Sequence, residues 1–443
     1  MDNKNLFLLN DTEAFMRGDL DNVTVADAHI VLDIVQGAYV PYGCYTSPAI
    51  PMPVFNMLYV SWNAVTPPGT AVEVQARVMV DGNWTSWCTF GRWSPFIRRE
   101  GGKPIARGVI DLSPDALRLD SKSATQAQLR IYLYTKEDKA TPGVRLLAAG
   151  SRPANSIPAS GRPVNARLHL PPYAVCRRAP ALRPQMDLAI SLTSLTNRWG
   201  ADILPEEFAL AMYDWKNRGR PNLCFAAAVA GCWGFPAWVR WADLAALRTE
   251  VRAGFGVVVQ MNATPAQIAL GRPELYCAAL RGFDSDPATG AHFALLNDPF
   301  AESDFAAETT IPLDDFLVRW TNVALFLHPC KILKENGRPQ RDAVSLHAAG
   351  PDWPGVYRLY RNGAPYLLPD DFCAAVEDDI PTGVLAWTAS GPTPHATTAH
   401  KTFHFTTPTG GGIALPAGVA TPTRHTVYVI DSSGQMLVGD ITI

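Results

Sequence analysis

Val72-Glu73-Val74-Gln75-Ala76-Arg77-Val78 sets an apolar side chain at every second position, the signature of a strand with one face in a core and the other in water. Gln128-Leu129-Arg130-Ile131-Tyr132-Leu133 and Asn22-Val23-Thr24-Val25 repeat the alternation. Asp81-Gly82 stands just beyond the first of these runs, a dipeptide suited to a tight hairpin because both residues tolerate positive φ. Several short strands with turn signals between them predict an antiparallel β-sandwich over residues 1–155.

Outward from that region the period changes. A proline-rich stretch over 151–172, with Pro153, Pro158 and Pro163, reads as a linker. Helical spacing follows over 188–199 and again over 242–252, where Leu244, Leu247 and Val251 share a face. Strand-like runs then come at 255–261, 276–280, 292–296 and 323–327. Helices first and strands later in one region predict an α+β domain over 156–330. The remainder, 331–443, returns to strand texture and reads as a small β-rich domain. Its end carries a terminal hairpin in which Thr426–Ile430 and Gln435–Val438 flank Asp431-Ser432-Ser433-Gly434. A chain of 443 residues has the length for about three domains.

Composition narrows the function classes. The chain is 47% hydrophobic and 18% charged, with a formal net charge of −3, so it is neither a disordered polyelectrolyte nor drawn by a global field to nucleic acid or anionic lipid. Gly-rich phosphate loops, Rossmann fingerprints and His-rich metal motifs are absent, and no cofactor or metal is expected. The start, Met1-Asp2-Asn3-Lys4-Asn5, lacks the pattern of a secretory signal. An uncharged stretch over 221–239 approaches a membrane span in length. Its Gly and Pro content and Ala-rich middle predict instead a buried helix running into a strand. The eight cysteines show no C-x-x-C pair and no dense framework, which predicts mostly unpaired thiols and a cytoplasmic location, or a secreted one if a leader has been removed.

Two segments carry a resemblance. The first is Ser61-Trp62-Asn63-Ala64 with Thr66-Pro67-Pro68-Gly69-Thr70, then Asp81-Gly82-Asn83-Trp84 and Gly91-Arg92-Trp93. The second is Arg281-Gly282-Phe283 with Asn297-Asp298-Pro299. Together they resemble bacterial proteins that join an N-terminal β-domain to a papain-fold cysteine peptidase of the bacteriocin-leader-processing, double-glycine type. The resemblance covers roughly residues 20–330. It implies a catalytic Cys at a helix N-terminus, a His general base, an Asp that orients the His, and a Gln that donates to the developing oxyanion.

Residue by residue the resemblance then fails where the chemistry lies. The helix anchor Arg198-Trp199-Gly200 and Ser191 keep the register of the nucleophile segment, but Asp187 stands where the thiol should be. Pro171-Pro172-Tyr173-Ala174-Val175 puts Val175 at the oxyanion Gln, and Leu275-Tyr276-Cys277 puts Tyr276 at the base. Asp298 alone remains. Asp187 at a helix start would be held ionised by the dipole and is a poor acyl-transfer nucleophile. Tyr276 titrates ordinarily near 10, and Val175 has no donor. The expectation is a degenerate, catalytically inactive member.

Other candidates have plainer roles. Cys224, Cys232 and Cys277 read as core thiols. Cys176, beside a basic residue, is the fallback nucleophile, and His292 reads as structural. The acidic pairs Asp370-Asp371 and Glu377-Asp378-Asp379 read as a solvated face. Trp62, Trp84, Trp87 and Trp93 are candidate ligand-facing aromatics, although Trp in strands more often packs in a core. Four functions compete on this reading. They are a pseudopeptidase binding a peptide, protein or glycan partner, an active peptidase with rearranged residues, a carbohydrate-binding protein, and a structural assembly protein.

Overall fold

The protein is described here by a computed structural model. It covers residues 5–102, 110–113, 115–155, 158–178, 186–201, 203–217 and 221–329, and beyond these a set of strands between 341 and 442. The N-terminal part is antiparallel β-structure apart from one short helix, Thr12–Met16. Its principal strands are β1 (Tyr42–Thr46), β2 (Ile50–Val65), β3 (Thr70–Val80), β4 (Cys88–Trp93), β5 (Ala124–Thr135) and β6 (Gly143–Pro153). They belong to one network of 14 strands. The alternation in β3 is realised: Val72, Val74, Ala76 and Val78 are buried, while Glu73, Gln75 and Arg77 are half-buried. Asp81 and Gly82 take φ of 50° and 79°, the paired left-handed conformations of a type I′ hairpin. The chain returns with Asn83 opposite Val80.

Strand β2 explains how this network folds over on itself. Its first residues pair with the start of β5, Ile50 opposite Ala127. Its later residues leave that ladder and run against β6, from Phe55 opposite Pro153 to Val65 opposite Gly143. Period two is lost on the way, because every residue from Leu58 to Ala64 is buried. Both faces of β2 are covered. The expected linker therefore begins later than position 151, since β6 continues to Pro153.

The next part begins with a two-residue strand, Ala166–Arg167, and a 3-10 turn, Val175–Arg177; then come the buried helix α1 (Asp187–Asn197), a short helix over Pro205–Ala211, α2 (Leu223–Cys232), β7 (Ala237–Trp241), α3 (Leu244–Ala253), β8 (Val257–Asn262) and α4 (Pro265–Ala269). Then come β9 (Leu275–Ser285), β10 (His292–Asn297), β11 (Glu308–Pro312), α5 (Leu313–Arg319) and β12 (Trp320–Leu327). The strands form an antiparallel sheet in the order β7-β12-β8-β9-β10-β11. The uncharged stretch over 221–239 is a buried helix running into a strand, as its Gly, Pro and Ala content implied. No helix among the described residues is long and apolar enough to cross a membrane.

All eleven residues of α1 are buried, including its hydroxyls. Ser191, Thr193 and Thr196 meet that demand by donating back to the carbonyls of Asp187, Ala189 and Leu192, at 2.9, 2.9 and 3.0 Å. On the opposite face of the sheet, Leu247 and Val251 of α3 pack with Val257, Val259 and Phe326.

The two parts share one apolar cluster, which runs from Leu9 through Trp62 to Phe225 and Ala279. Polar side chains cross that boundary as substitutes for a strand ladder. Strand β7 ends the second sheet, and its outer amides face β2. Asn63 Oδ1 accepts from the Ala237 N–H at 3.0 Å, and its Nδ2 donates to the carbonyls of Ala237 and Ala227 at 2.9 and 3.2 Å. Ser61 Oγ accepts from the Val239 N–H at 2.8 Å. A Cβ at Gly231 would lie 2.4 Å from the Asn63 side chain, and one at Gly150 would lie 2.7 Å from Arg240. Buried Arg99 makes a second tie, donating to the carbonyls of Ser94, Pro95 and Ile97 and to that of Tyr213 across the boundary.

Every element described between 341 and 442 is a strand. The terminal hairpin pairs Arg424–Ile430 with Met436–Thr442, Ile430 opposite Met436. The residues Asp370-Asp371, Glu377-Asp378-Asp379, Cys330 and Cys373 lie outside the described residues.

Replacing Asn63 by Ala leaves the Ala237 N–H and carbonyl buried without this partner, and takes a second donor from the helical Ala227 carbonyl. Such groups cost roughly 1–3 kcal/mol each when unpaired, so Asn63→Ala is expected to lower the unfolding free energy by about 2–4 kcal/mol. Urea unfolding followed by tryptophan fluorescence checks this. A loss below about 1 kcal/mol would mean that the amide is not a structural tie.

Candidate functional site

The first residue of α1 is Asp187, capped only by the backbone of Met186. Its side chain is 1% exposed. Oδ2 accepts from the Cys277 N–H of β9 at 2.7 Å, and Oδ1 is buried with no hydrogen-bond partner. Burial pushes the carboxyl up to about 6, against the pull of the Cys277 amide. This corrects the expectation that the helix start would hold Asp187 firmly ionised. Loss of hydration outweighs the dipole when only one oxygen finds a donor from another strand.

Successive side chains of a strand point to opposite faces. On β9, Cys277 and Ala279 pack in the cluster that contains α1, whereas Tyr276, Ala278 and Leu280 pack in the other layer with Val259, Met261, Phe316 and Trp320. The side chain of β9 that meets Asp187 is therefore Cys277. Burial, and after it the Asp187 charge, push that thiol well above its ordinary range, which removes it as a nucleophile. Tyr276 does not face Asp187, which corrects the expected juxtaposition.

Tyr276 and Asp298 do come together, through residues that the sequence did not single out. Arg272 Nη1 lies 2.8 Å from Asp298 Oδ2, the two side chains being 11% and 15% exposed. The same guanidinium lies over the Tyr276 ring at 4.8 Å and the Phe300 ring at 5.1 Å. Arg319 Nη2 donates to Tyr276 Oη at 2.6 Å, and Phe300 stands edge-on to the phenol ring at 5.8 Å. Burial, and then the Asp298 charge, raise the Tyr276 phenol above its usual range. Asp298 Oδ1 also accepts from the Phe300 N–H at 2.9 Å. The carboxylate that would orient a histidine instead holds an arginine.

The remaining candidates are placed as follows. Val175 lies in a 3-10 turn, Val175–Arg177, and its N–H donates to the Pro299 carbonyl at 2.7 Å. Its buried side chain has no polar atom to offer an oxyanion. Cys176 is exposed and its thiol donates to the Glu302 carbonyl at 3.2 Å. Cys224, Cys232 and Cys277 are buried, and no disulfide joins the six described cysteines. His292 is exposed at the head of β10. Trp62 and Trp93 are fully buried, so no ligand-facing platform includes them. Trp84 and Trp87 are half-exposed. No cluster of three or more His, Cys, Asp or Glu able to hold a metal occurs among the described residues.

Comparison with known proteins bears on the first part of the chain. Residues 9–151 match the family described as Peptidase C39 N-terminal domain. No curated protein matches the chain. Among solved structures, the one titled "Structure of CBM32-3 from a family 31 glycoside hydrolase from Clostridium perfringens" is similar at 12% identity over 34% of this chain and 94% of that one, with a TM-score of 0.16. At that TM-score the likeness carries no argument.

The buried carboxyl gives a pH signature with a definite sign. Its folded pKa, about 6, exceeds the unfolded value near 3.9. Stability from this group is thus fully present below about pH 3.9 and is lost as pH rises through about 6. Asn at 187 keeps an acceptor for Cys277 but does not titrate. The stability of Asp187→Asn relative to the natural protein is expected to rise between pH 4 and pH 7, by up to roughly 3 kcal/mol. Paired urea titrations at intervals over that range check it; a difference independent of pH would contradict the assignment.

Proposed function

We propose that the chain is a non-catalytic relative of the papain-fold cysteine peptidases of the bacteriocin-leader-processing type, acting by binding a peptide, protein or glycan partner. The match of residues 9–151 to a Peptidase C39 N-terminal domain supports the lineage. A buried helix set against an antiparallel sheet, with an aspartate following the strand next to the one its first residue touches, supports a papain-like central domain. We read the chain as three domains, 1–155, 156–330 and 331–443, and the lack of a disulfide among the described cysteines supports a reducing, cytoplasmic setting.

One observation carries the loss of catalysis. At the head of α1 stands a carboxyl, sealed from solvent and bonded to a backbone amide. Thiol peptidases need a thiolate there, paired with an imidazole on the facing strand and open to substrate. Here the facing side chain is a thiol whose ionisation is suppressed, and the carboxylate that remains is neutralised by Arg272. An oxyanion has no side-chain donor at Val175. Each step of acyl transfer lacks its group.

The natural protein is expected to show no thiol-dependent hydrolysis of fluorogenic peptides, with or without a Gly-Gly site. The double variant Asp187→Cys with Tyr276→His is expected to remain inactive, because a side chain at 276 belongs to the other face of the sheet. Adding Val175→Gln is not expected to change this. Robust cleavage by the natural protein, abolished by Cys176→Ala, would overturn the reading and make Cys176 the nucleophile.

A further inference from the structure

Helix α4, in the connection between β8 and β9, is held up by polar bonds while its apolar side chains meet water. A capping box fixes its start: Thr264 Oγ1 accepts from the Gln267 N–H at 3.3 Å, and Gln267 Oε1 accepts from the Thr264 N–H at 3.0 Å. Arg319, the last residue of α5, ties the two helices together. It donates to Gln267 Oε1 at 3.0 Å and to the Asn262 carbonyl at 3.2 Å. The Ala263 N–H closes the base of the connection on the Glu274 carbonyl at 2.8 Å. No residue of α4 is buried. Ile268 is exposed, and Leu270, which ends the helix, is 89% exposed. On α5, Leu317 and Val318 are also exposed, Val318 by 83%. Single apolar residues on a surface are ordinary, but four on two helices joined by one arginine make a patch.

The charges around this patch have one sign. Residues 254–320 contain nine carboxylate side chains and three arginines, with no lysine. Each arginine is engaged within the fold: Arg272 with Asp298, Arg281 with Glu308 at 3.3 Å, and Arg319 with Gln267 and Tyr276. Asp314, Asp315 and Glu274 are exposed, and none of them has an ion-pair partner among the described residues. Helical spacing puts Asp314 and Asp315 one turn before Leu317 and Val318 on the exposed face of α5. A wholly apolar partner would bury these carboxylates without counter-charges, at a desolvation cost. An anionic lipid surface would be repelled by them. A second copy docked through the same patch would set like charges together. The complement is a surface that brings apolar side chains and cations at once.

We propose that α4 and the exposed face of α5 dock a cationic, apolar peptide segment of a partner protein, its aliphatic side chains on Ile268, Leu270, Leu317 and Val318 and its Lys or Arg side chains on Asp314 and Asp315. The proposal rests on reading the chain as a binding protein and gives that reading a partner chemistry. The bonds of Gln267 and Arg319 hold both helices in place beforehand, so little backbone is ordered on binding.

The test is fluorescence anisotropy of the full chain with four labelled peptides of one length, built from Lys and Leu, Lys and Gly, Gln and Leu, or Glu and Leu. Phosphatidylcholine vesicles containing phosphatidylserine are the competing surface. The Lys-Leu peptide is expected to bind, to exceed each of the others by at least about fivefold, and to weaken several-fold between 50 and 200 mM salt. Leu270→Ser and Val318→Ser are each expected to weaken it by about fivefold. Asp314→Asn with Asp315→Asn is expected to weaken it and to flatten its salt dependence. Thermal melting checks that the variants fold; if one does not, the peptide series on the natural protein decides alone. The proposal is overturned by no binding of the Lys-Leu peptide at 50 mM salt, by equal binding of any other peptide, by unchanged affinity in the folded Leu270→Ser and Val318→Ser proteins, or by tighter binding to the vesicles. Mass spectrometry of the recovered peptides separates the two readings. An intact but unbound peptide overturns this proposal alone, whereas a cleaved peptide overturns the non-catalytic reading.

Discussion

The side chain of Asn63 holds the arrangement together. An amide can act as donor and acceptor at once, and Asn63 uses both ends on one residue of β7 while its second proton reaches α2. It thereby fixes a helix and the end strand of one sheet to a strand of another, without the long ladder that direct strand pairing would need. The absence of a Cβ at Gly231 is part of the same contact, because the helix must approach within reach of the amide. Helix α2 shares the apolar cluster of α1. The position of Asp187 thus depends, through two layers of packing, on a polar residue in the N-terminal β-structure.

Much of the fold was legible from alternation and spacing. The runs at 72–78 and 128–133 lie in β3 and β5, Asp81-Gly82 turns the chain just after β3, and the strands expected between 255 and 327 correspond to β8, β9, β10 and β12. The doubly buried stretch Leu58–Ala64 was not, because period two disappears when both faces are covered. Ser61 and Asn63 then look like surface residues rather than ties. At the site, Asp187 is the first residue of α1, and Trp199-Gly200 is the sequence signal for the other end of that helix. Tyr276 was misjudged by one residue in direction. The alternation of Leu275, Cys277 and Ala279 against Tyr276, Ala278 and Leu280 already held that information. Arg272 and Arg319 could not be found this way: a single arginine near a turn or at a helix end has no pattern, and its partner is set by tertiary packing.

The site also shows what a buried carboxyl at a helix start demands of its surroundings. A thiolate nucleophile needs an open, electropositive setting. Asp187 has the reverse, a dry setting with one amide donor and one empty acceptor. On the other face of β9, Arg272 and Arg319 gather around Tyr276 and Asp298 in a closed cluster. These are the features of a packed joint. Buried polar groups that are mostly satisfied give such a joint a single geometry.

Strand β2 has a consequence for how the chain can be divided. Its residues from Leu58 to Ala64 have water on neither side, so the two domains that meet near residue 155 share an interior and would not fold independently of each other. A fragment cut there would carry a stripe that includes Ser61, Asn63 and Gly150, shaped for α2 and β7 and left without them. Such a stripe, half apolar and half unpaired amide, is an adhesive surface, and fragments bearing it would associate with one another. The N-terminal β-structure is a recognisable module in sequence, but physically it is one half of a shared interior.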